Sequence, residues 1–406
     1  MRRVCLIRQS IYPYDLLARR EAETLRQAGY ETHVICLARP EDENNRQLEE
    51  VINQVYVHRL PLKRVKTSVT RYMFDYLSFA FLASIKVTRL HLKDHFDVIQ
   101  VNNMPDFLVF AAIVPKMLGV KVTSMMYEPT PELWESMRGS PPPRMLKTVE
   151  QLSLAFANQS FTVTQQLKDA YVSRGAKPDK INVVLNVPDE GFLEKQKEDG
   201  SGIHNKDQLV LICHGAIEER YGQDTILEAV ALVKPEIPNL QVRILGKGNY
   251  VDGMLEKRKQ LGLEDCVDYL GYVPLEQMIQ ELSAADIGIV AQKSSPYSNL
   301  VHTGKMYEYI AFGIPVLATR LKAVEAYFGD DALVYFEPDN PESLAEGILD
   351  LYQHPEKREI LARNAQTLYN KYRWEKQKEI YLSTYQSLLN HPYEIKFEKE
   401  NLPVKK

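Results

Sequence analysis

The amino-acid sequence predicts an α/β protein built from two doubly wound domains that face each other across a cleft. The chain has 406 residues, and at about 100 to 200 residues per domain this length fits two domains. Short runs of β-branched and aliphatic residues alternate with longer segments of helical periodicity, which is typical of βαβ units and a parallel sheet. The alternation is interrupted by one polar stretch, residues 194–207, and then begins again. Each half therefore predicts a sheet of its own.

The first half, residues 1–190, is predicted to form the N-terminal domain. The helical segment 16–28 ends at Gly29, a residue type suited to the left-handed conformation that closes many helices. Segment 107–118 has the same arrangement with Gly119. The predicted strands are the apolar runs at residues 4–7, 32–37, 55–60, 98–101, 120–125, 161–164 and 181–185.

The second half, residues 191–374, is predicted to form the C-terminal domain after an exposed linker at 194–207. Its strands are predicted at residues 209–213, 242–245, 267–270, 287–290, 316–318 and 333–336. Beyond Pro341 no strand pattern follows, and helices are predicted at residues 342–353, 356–372 and 375–389. The last helix has no strand to join. Residues 375–406 are therefore expected to return to the N-terminal domain as a helix followed by a polar tail.

Composition excludes some classes of protein. The net charge is −4 and the isoelectric point is about 6.2, so the chain lacks the basic field that contacts with nucleic-acid phosphates require. The cysteines lack the paired spacing of a zinc site or a redox motif, and each lies in or beside a predicted strand. We expect reduced, buried thiols at Cys5, Cys36, Cys213 and Cys266.

Two apolar runs bear on the location of the protein. Residues 4–7, between Arg3 and Arg8, are much shorter than the apolar core of a secretory signal. The longest apolar stretch, residues 72–85, is broken by Asp75 and falls short of the roughly 20 residues that a membrane span needs. We therefore expect a cytoplasmic protein without a transmembrane segment.

The loops at the carboxyl ends of the strands are where open parallel sheets bind ligands, because backbone amides and helix N-termini are exposed there. The loop at residues 214–224 reads HGAIEERYGQD. Gly215 and Gly222 allow the backbone to approach a ligand, and Arg220 offers a forked cation suited to phosphate. The alternative is a surface turn in which Arg220 pairs with a neighbouring glutamate.

Two further glycine turns follow in the second half. LGKG at residues 245–248 again places a glycine turn after a predicted strand, and this motif alone is weak evidence for a ligand site. In residues 303–319, TGKMYEYIAFGIPVLAT, a short helix is predicted before GIPV, and Lys305 and Glu308 share one face of it. A lysine beside a helix N-terminus suits phosphate, and a carboxylate suits two vicinal hydroxyls. An ordinary salt bridge between the two side chains is the alternative.

Taken together, the GxxxxRxG turn, the later glycine turn and the Lys-x-x-Glu helix resemble the donor half of the family-4 retaining glycosyltransferases. That family has the GT-B fold of two Rossmann-like domains. Residues 270–290 resemble its segment along the nucleobase, and residues 180–192 resemble its entry into the second domain. Residues 97–106 and 127–134 are similar to its acceptor-side loops. The resemblance covers nearly the whole chain.

The resemblance implies roles for particular residues. Glu308 corresponds to the second glutamate of the family's Glu-x7-Glu motif, which holds the ribose hydroxyls, and Arg220 corresponds to a cation on the diphosphate, supported by Lys305. These three are the implied catalytic residues. The implied donor-binding residues are Gly215, Glu219, Arg220, Gly246, Tyr272, Val273, Lys305 and Glu308. The implied acceptor-side residues are Tyr127, Glu128 and Glu132.

The chain departs from the family pattern on the side of the sugar. The first glutamate of the motif falls on Leu300, the lysine before Gly222 is Tyr221, and the histidine that often faces the donor sugar is Tyr127. No glycine pair follows the first strand. These departures keep two alternatives open. One is a catalytically silent GT-B protein that binds a nucleotide sugar or partners an active enzyme, and the other is a sugar-nucleotide epimerase or hydrolase.

The resemblance also implies a reaction. We expect retaining transfer of a hexose or an N-acetylhexosamine from a UDP-linked sugar to a saccharide or a lipid-linked saccharide. The nucleotide sugar is a co-substrate, and no cofactor is expected. No Asp-x-Asp pair follows a predicted strand, so transfer without a metal is expected.

A basic cluster precedes the long apolar segment of the first half. Its members are Lys63, Arg64, Lys66 and Arg71. A basic helix with an aromatic face can rest on an anionic membrane, which would suit a lipid-linked acceptor. Residues 63–85 are therefore interpreted as a peripheral contact with the inner face of the cell membrane, with a solvated loop before a core helix as the alternative.

Overall fold

The structure is a computed structural model that describes residues 1–39, 48–62, 69–191 and 208–390, and of residues 69 and 70 it describes the backbone only. The described chain forms two sheets, and the α/β architecture with two parallel-sheet domains is confirmed. Some predicted features lie outside the described residues, namely the linker at 194–207, the cations Lys63, Arg64 and Lys66, and the tail at 391–406.

The N-terminal sheet has eight strands. They are β1 Arg3–Ile7, β2 Glu31–Leu37, β3 Glu49–Ile52, β4 Val55–Leu60, β5 Val98–Asn102, β6 Lys121–Met126, β7 Gln159–Thr162 and β8 Ile181–Val183. The strand order is β3-β4-β2-β1-β5-β6-β7-β8, and only β3 is antiparallel to its neighbour. The inner strands are buried throughout because helices cover both faces of the sheet.

The helices of this domain are α1 Leu16–Gln27, α2 Val69–Asp94, α3 Ile113–Met117, α4 Thr130–Arg138, α5 Arg144–Phe156 and α6 Gln165–Ser173. The side chain of Asp15 caps α1, accepting hydrogen bonds from the amides of Leu17 at 3.0 Å and Ala18 at 3.2 Å. Gly29 follows α1 with a φ of +87°, which confirms the predicted closure of that helix.

The C-terminal sheet has six parallel strands. They are β9 Leu209–Ala216, β10 Leu240–Lys247, β11 Val267–Gly271, β12 Ile287–Val290, β13 Val316–Thr319 and β14 Val334–Phe336, in the order β11-β10-β9-β12-β13-β14. Its helices are α7 Gln223–Val233, α8 Val251–Gln260, α9 Leu275–Ser283, α10 Gly304–Ala311 and α11 Lys322–Glu325. In each sheet the strand order changes direction once, between β1 and β5 in the first sheet and between β9 and β12 in the second. Parallel sheets of this kind bind ligands at such switch points.

Three helices close the described chain, α12 Pro341–Gln353, α13 Pro355–Tyr369 and α14 Trp374–Leu389. The last of them packs on the N-terminal domain, as the sequence predicts. Tyr381 Oη donates to Gln100 Oε1 on β5 at 2.8 Å, and Trp374 Nε1 donates to Thr24 Oγ1 on α1 at 3.3 Å. The change from one sheet to the other lies between residues 183 and 209. The predicted boundary at 190 lies within this interval, and its position stays a prediction.

Some local predictions are wrong. Strand β3 was not predicted because its four residues include two glutamates and form no apolar run. It is an edge strand that pairs only with β4. The helix predicted at 107–118 is a 3-10 helix at Asp106–Ala112 followed by α3. Pro115 explains the break: it lacks the N–H that a helix interior uses, whereas in the first turn of α3 that N–H is not needed.

The long apolar stretch at 72–85 belongs to α2, a helix of 26 residues. Its Phe79, Ala83 and Val87 are buried in the core on one face of the N-terminal sheet. Among the residues that the structure describes, no helix has both the length and the hydropathy to cross a bilayer. All four cysteines are buried and free, as expected.

Two buried histidines face each other across the neighbouring strands β2 and β4 of the N-terminal sheet. His33 Nδ1 lies 3.0 Å from His58 Nε2, and the imidazole rings are stacked with centroids 5.3 Å apart. Glu31 lies 3.3 Å from His33, and Glu49 lies 3.5 Å from His58. Burial, and then the charges of His33 and Lys86, lower the pKa of His58 from 6.5 to about 4. Both rings are therefore neutral at pH 7.

The histidine pair predicts a loss of stability in acid. The unfolded chain takes up a proton at His58 near pH 6.5 but the folded chain only near pH 4, so stability falls as the pH decreases between these values. One pKa unit is worth about 1.4 kcal/mol, which gives roughly 2 to 3 kcal/mol for this group. Urea unfolding at pH 7 and pH 4.5 should show this component in the wild type and in exposed His354→Gln. It should be missing in His58→Gln, and an equal loss in that variant would contradict the assignment.

Candidate functional site

Two adjoining cavities lie between the domains. The larger has a volume of about 550 Å³ and is lined by α1, by the connection at residues 186–189, by the loop after β9 and by α10. The smaller has a volume of about 230 Å³ and is lined mainly by the loops after β1, β5 and β6, with residues 297, 301 and 302 from the other domain. Leu17 and Asn186 line both cavities, so the two form one continuous cleft.

The loop after β9 forms one wall of the larger cavity. His214, Gly215, Ala216 and Tyr221 line it. Gly215 has a φ of +112°, so a side chain there would be strained, and its absence lets the backbone face the cavity. Gly222 begins α7 with a φ of +66°, and a Cβ at that position would lie 2.0 Å from the carbonyl oxygen of Ala291. The predicted glycine turn is therefore a tight loop that leads directly into a helix.

Arg220 lies where this loop meets the other domain. Its Cζ is 4.9 Å from the centroid of the Tyr221 ring and 5.9 Å from that of Tyr297. Its Nε is buried without a hydrogen-bond partner. Within the described ranges, no carboxylate lies within salt-bridge distance of Arg220, so the alternative of a surface pair with a neighbouring glutamate does not describe the structure. The guanidinium has charge and N–H donors left for a ligand.

Helix α10 lies beside this loop and brings two predicted residues into the larger cavity. Lys305 is buried, and its Nζ lies 5.1 Å from the centroid of the Tyr221 ring. Glu308 Oε2 lies 3.1 Å from Nε2 of His214. His214 Nε2 forms no hydrogen bond at this distance. Among the residues that the structure describes, no salt bridge joins Glu308 to Lys305, so the ordinary salt bridge considered from the sequence is absent there.

Burial sets the charge states of this pair. It raises the pKa of Glu308 to about 7, and the nearby charge of Lys305 opposes this rise. Burial, and then Lys305, lowers the pKa of His214 to about 3. His214 is therefore neutral over the physiological range, while Glu308 changes between acid and carboxylate near neutral pH. A carboxylate at this position accepts hydrogen bonds from hydroxyls, whereas the protonated acid accepts fewer.

Gly246, the predicted donor-binding glycine after β10, packs closely against the backbone of the loop after β9. Its φ is +136°, and a Cβ there would lie 1.7 Å from the carbonyl oxygen of Gly215.

We expect Gly246→Ala to destabilise the domain by roughly 3 kcal/mol or more, because the backbone of Gly215 cannot move aside without a large cost in free energy. Gly262→Ala, at a φ of +63° with open space around it, is the control and should cost only about 1 kcal/mol. Equal stabilities in urea unfolding would contradict this close packing.

Three other predicted donor residues lie outside the walls of the larger cavity. Tyr272 is 71% exposed, and Lys247 Nζ lies 4.3 Å from its ring centroid. Val273 is half-buried against the core, and Glu219 is exposed. Their contact with a nucleobase or a phosphate stays a prediction.

Two of the three predicted acceptor-side residues line the smaller cavity. Glu128 Oε2 accepts a hydrogen bond from Tyr297 Oη at 2.6 Å, which joins the two domains across the cleft. Tyr127 presents its ring to the cavity, while its hydroxyl donates to the buried carboxylate of Glu21. Glu132 is not among the lining residues. It is buried and forms an ion pair with Arg174.

Several cavity residues were not predicted from the sequence. Arg8 and Asp15 line the smaller cavity and form an ion pair at 2.6 Å. Asn103 Oδ1 accepts from the amide of Tyr127 at 2.8 Å and holds the loop after β6 in place. The loop RQSIYPYD after the first strand, which begins with Arg8, ends with Asp15 and contains no glycine pair, was the available signal. The sequence did not predict His214 or Tyr297 as site residues, because the residues that they contact are distant in sequence.

Comparisons with known proteins agree with this geometry. The family model of glycosyl transferases group 1 matches residues 194–368, and that of the glycosyl transferase 4-like domain matches residues 17–186. An uncharacterized glycosyltransferase of Methanocaldococcus jannaschii is 24% identical over 243 residues, which are 57% of this chain and 60% of that protein. A GDP-mannose-dependent monoacylated alpha-(1-6)-phosphatidylinositol monomannoside mannosyltransferase of Corynebacterium glutamicum is 28% identical over 192 residues, 45% of this chain and 50% of that protein. The aligned part thus spans about half the length of these relatives.

Solved structures agree with the fold over nearly the whole chain. The sucrose-phosphate synthase of Thermosynechococcus elongatus superposes with a TM-score of 0.75 at 16% identity, covering 96% of this chain and 100% of that one. Anabaena HepE in complex with UDP and glucose has a TM-score of 0.71 at 16% identity, covering 95% and 100%. Two parallel-sheet domains around an interdomain cleft define the GT-B class. The chain belongs to the group 1 glycosyltransferases of the family-4 type.

Proposed function

We propose that the protein is a retaining glycosyltransferase that moves a hexose or an N-acetylhexosamine from a UDP-linked donor to a saccharide or a lipid-linked saccharide. The observation that carries this proposal is that Lys305 and Glu308 line the larger cavity, while Arg220, which is not a lining residue, lies beside Tyr221 of the larger cavity and Tyr297 of the smaller one. A nucleoside diphosphate requires cations for its phosphates and an acceptor for its ribose hydroxyls. These three side chains supply both kinds of group.

The proposed chemistry depends on the charge that develops on the departing diphosphate. Among the described residues Arg220 has the charge of Glu128 nearby but forms no salt bridge, and its Nε has no hydrogen-bond partner, so N–H donors are available there. Lys305 and the N-terminal end of α10 add positive potential beside the same loop. In a retaining transfer the diphosphate itself can take the proton of the acceptor on the same face of the sugar. We therefore propose transfer without a metal, with the nucleotide sugar as co-substrate and no cofactor.

The smaller cavity is proposed to hold the transferred sugar and the acceptor. Its walls carry amide, hydroxyl and carboxylate groups, which suit a polyhydroxylated ligand: Gln9, Asn103, Glu128, Asn186 and Tyr297. Tyr76 of α2 also lines it. We propose that a lipid-linked acceptor reaches this cavity while the protein stays in the cytoplasm, with residues 63–85 in peripheral contact with the inner membrane face.

A panel of nucleotide sugars tests the donor. UDP-linked sugars are expected to raise the melting temperature, because a ligand at a hundred times its Kd adds about 2.7 kcal/mol to apparent stability. The proposal of a UDP donor rests on the bound UDP of the Anabaena neighbour, whereas the Corynebacterium relative is named for GDP-mannose. A shift with GDP-mannose alone would overturn the choice of base. NMR of the transferred anomeric centre then tests retention.

A catalytically silent subunit is the second candidate. The observation that favours it is Leu300, an aliphatic side chain packed against the core where the family has a glutamate. Turnover of any donor by the isolated chain would exclude this candidate. An epimerase or hydrolase would consume the donor with no acceptor present, so an absolute requirement for acceptor would count against that reading.

A further inference from the structure

Within the described part of the chain, the helices on one face of the N-terminal sheet leave an apolar surface uncovered. The 3-10 helix Asp106–Ala112 packs between α2 and α5, and α3 continues from it. On the outside of α2 the exposed Phe74, Leu77 and Phe81 follow helical spacing and form one stripe. The outsides of α3 and α5 carry further exposed apolar side chains, namely Val114, Met117, Leu118, Met145 and Leu152. Patches of this kind mark a surface that another body covers.

The same surface is basic. A groove of about 850 Å³ lies between α5 and the segment after α6, and its walls include Leu152, Lys147, Lys177 and Lys180. Lys116 on α3 lies close by, and burial together with the charges of Lys180 and Lys121 lowers its pKa. The buried carboxylates next to this groove, Glu132 and Glu150, are already paired with Arg174. The exposed Asp179 lies between Lys177 and Lys180 in sequence, but among the described residues none of Lys116, Lys147, Lys177 and Lys180 forms an ion pair.

The apolar stripe begins beside the smaller cavity of the cleft. Gln9 Nε2, in the loop after β1, donates to the backbone oxygen of Asp75 at 3.2 Å. Tyr76 lines the smaller cavity, whereas its neighbours Phe74 and Leu77 are exposed on the outside of α2. One turn of α2 therefore joins the proposed acceptor site to the uncovered surface.

We propose that this basic apolar face, formed by α2, α3 and α5 with the groove beside α6, lies on an anionic phospholipid bilayer. The aromatic and aliphatic side chains enter the region of the headgroups, while the lysines remain with the lipid phosphates. A soluble protein partner would not need cations and apolar groups spread over three helices in this way. The face extends well beyond residues 63–85, and its link to a lipid-bound acceptor rests on the proposed function.

Sedimentation of the full chain with lipid vesicles, in the absence of donor, tests the proposal. We expect binding to vesicles of phosphatidylcholine mixed with phosphatidylglycerol, weakened by added salt, and little binding to phosphatidylcholine alone. Each lysine near such a surface changes partitioning by about five- to sixfold, so Lys147→Glu with Lys177→Glu should weaken partitioning by roughly thirtyfold or more. Phe74→Ser with Phe81→Ser should weaken it about tenfold or more.

The matched controls lie on the C-terminal domain. Ile360→Ser removes an exposed aliphatic side chain from α13, and Lys259→Glu reverses an exposed charge on α8. Both should leave vesicle binding unchanged. Failure to bind anionic vesicles, equal binding to neutral vesicles, or equal losses in the controls would overturn the proposal. That failure is distinct from failure of the proposed function, which would appear as absence of donor turnover with a soluble acceptor.

Discussion

Arg220→Ala is expected to lower kcat by about a hundredfold or more, because it removes a preorganised cation from the site where the leaving diphosphate gains charge. The guanidinium lies between the rings of Tyr221 and Tyr297, with its Nε buried and without a partner. No other described side chain gives the loop after β9 a comparable forked donor. The loss should therefore appear mainly in kcat rather than in the stability of the fold.

Arg320→Ala is the matched control for this experiment. Arg320 lies in the same domain but forms surface ion pairs with Glu325 and Asp330, both at 2.8 Å. Such pairs contribute little, and the variant should keep its activity. Arg220→Lys should recover part of the rate, because it restores charge without the fork. An Arg220→Ala enzyme with normal turnover and a lower melting temperature would show that the residue is structural.

The order of strands and helices follows well from the sequence because burial imposes a clear pattern. Strands such as β4 and β12 are short apolar runs, and their predicted bounds match the structure. The edge strand β3 was not predicted because only one side of it is paired and two of its four residues are glutamates, Glu49 exposed and Glu50 in an ion pair with buried Arg59. Hydrophobic patterning predicts strands that are buried on both faces of a sheet, and it does not predict a partly exposed strand such as β3.

The cleft could be predicted only in part. Glycine turns and the Lys-x-x-Glu spacing are local, so they mark the walls formed by the loop after β9 and by α10. The contacts that give these walls their chemistry join residues far apart in sequence. His214 lies against Glu308, and Tyr297 donates a hydrogen bond to Glu128 in the other domain. Such pairs depend on the docking of two sheets and have no signature along a single chain.

Glu308→Gln is expected to weaken donor binding by about 1.5 to 3 kcal/mol, the range for a hydrogen bond to a charged group. Calorimetry with the donor found by the thermal-shift panel measures this loss directly. Glu337→Gln, which changes an exposed carboxylate on the same domain, should bind the donor as the wild type does. Unchanged affinity in Glu308→Gln would remove this residue from the ribose site.

The pH dependence of donor binding distinguishes a working carboxylate from a buried structural acid. In the proposed site the carboxylate form of Glu308 is the acceptor for two ribose hydroxyls, and burial raises its pKa in the free protein to about 7. Donor affinity should therefore increase as the pH rises through about 7 and decrease as it falls. His214, with a pKa of about 3, stays neutral and adds no slope in this window. In Glu308→Gln the slope should disappear, whereas a slope that persists would have to come from another group.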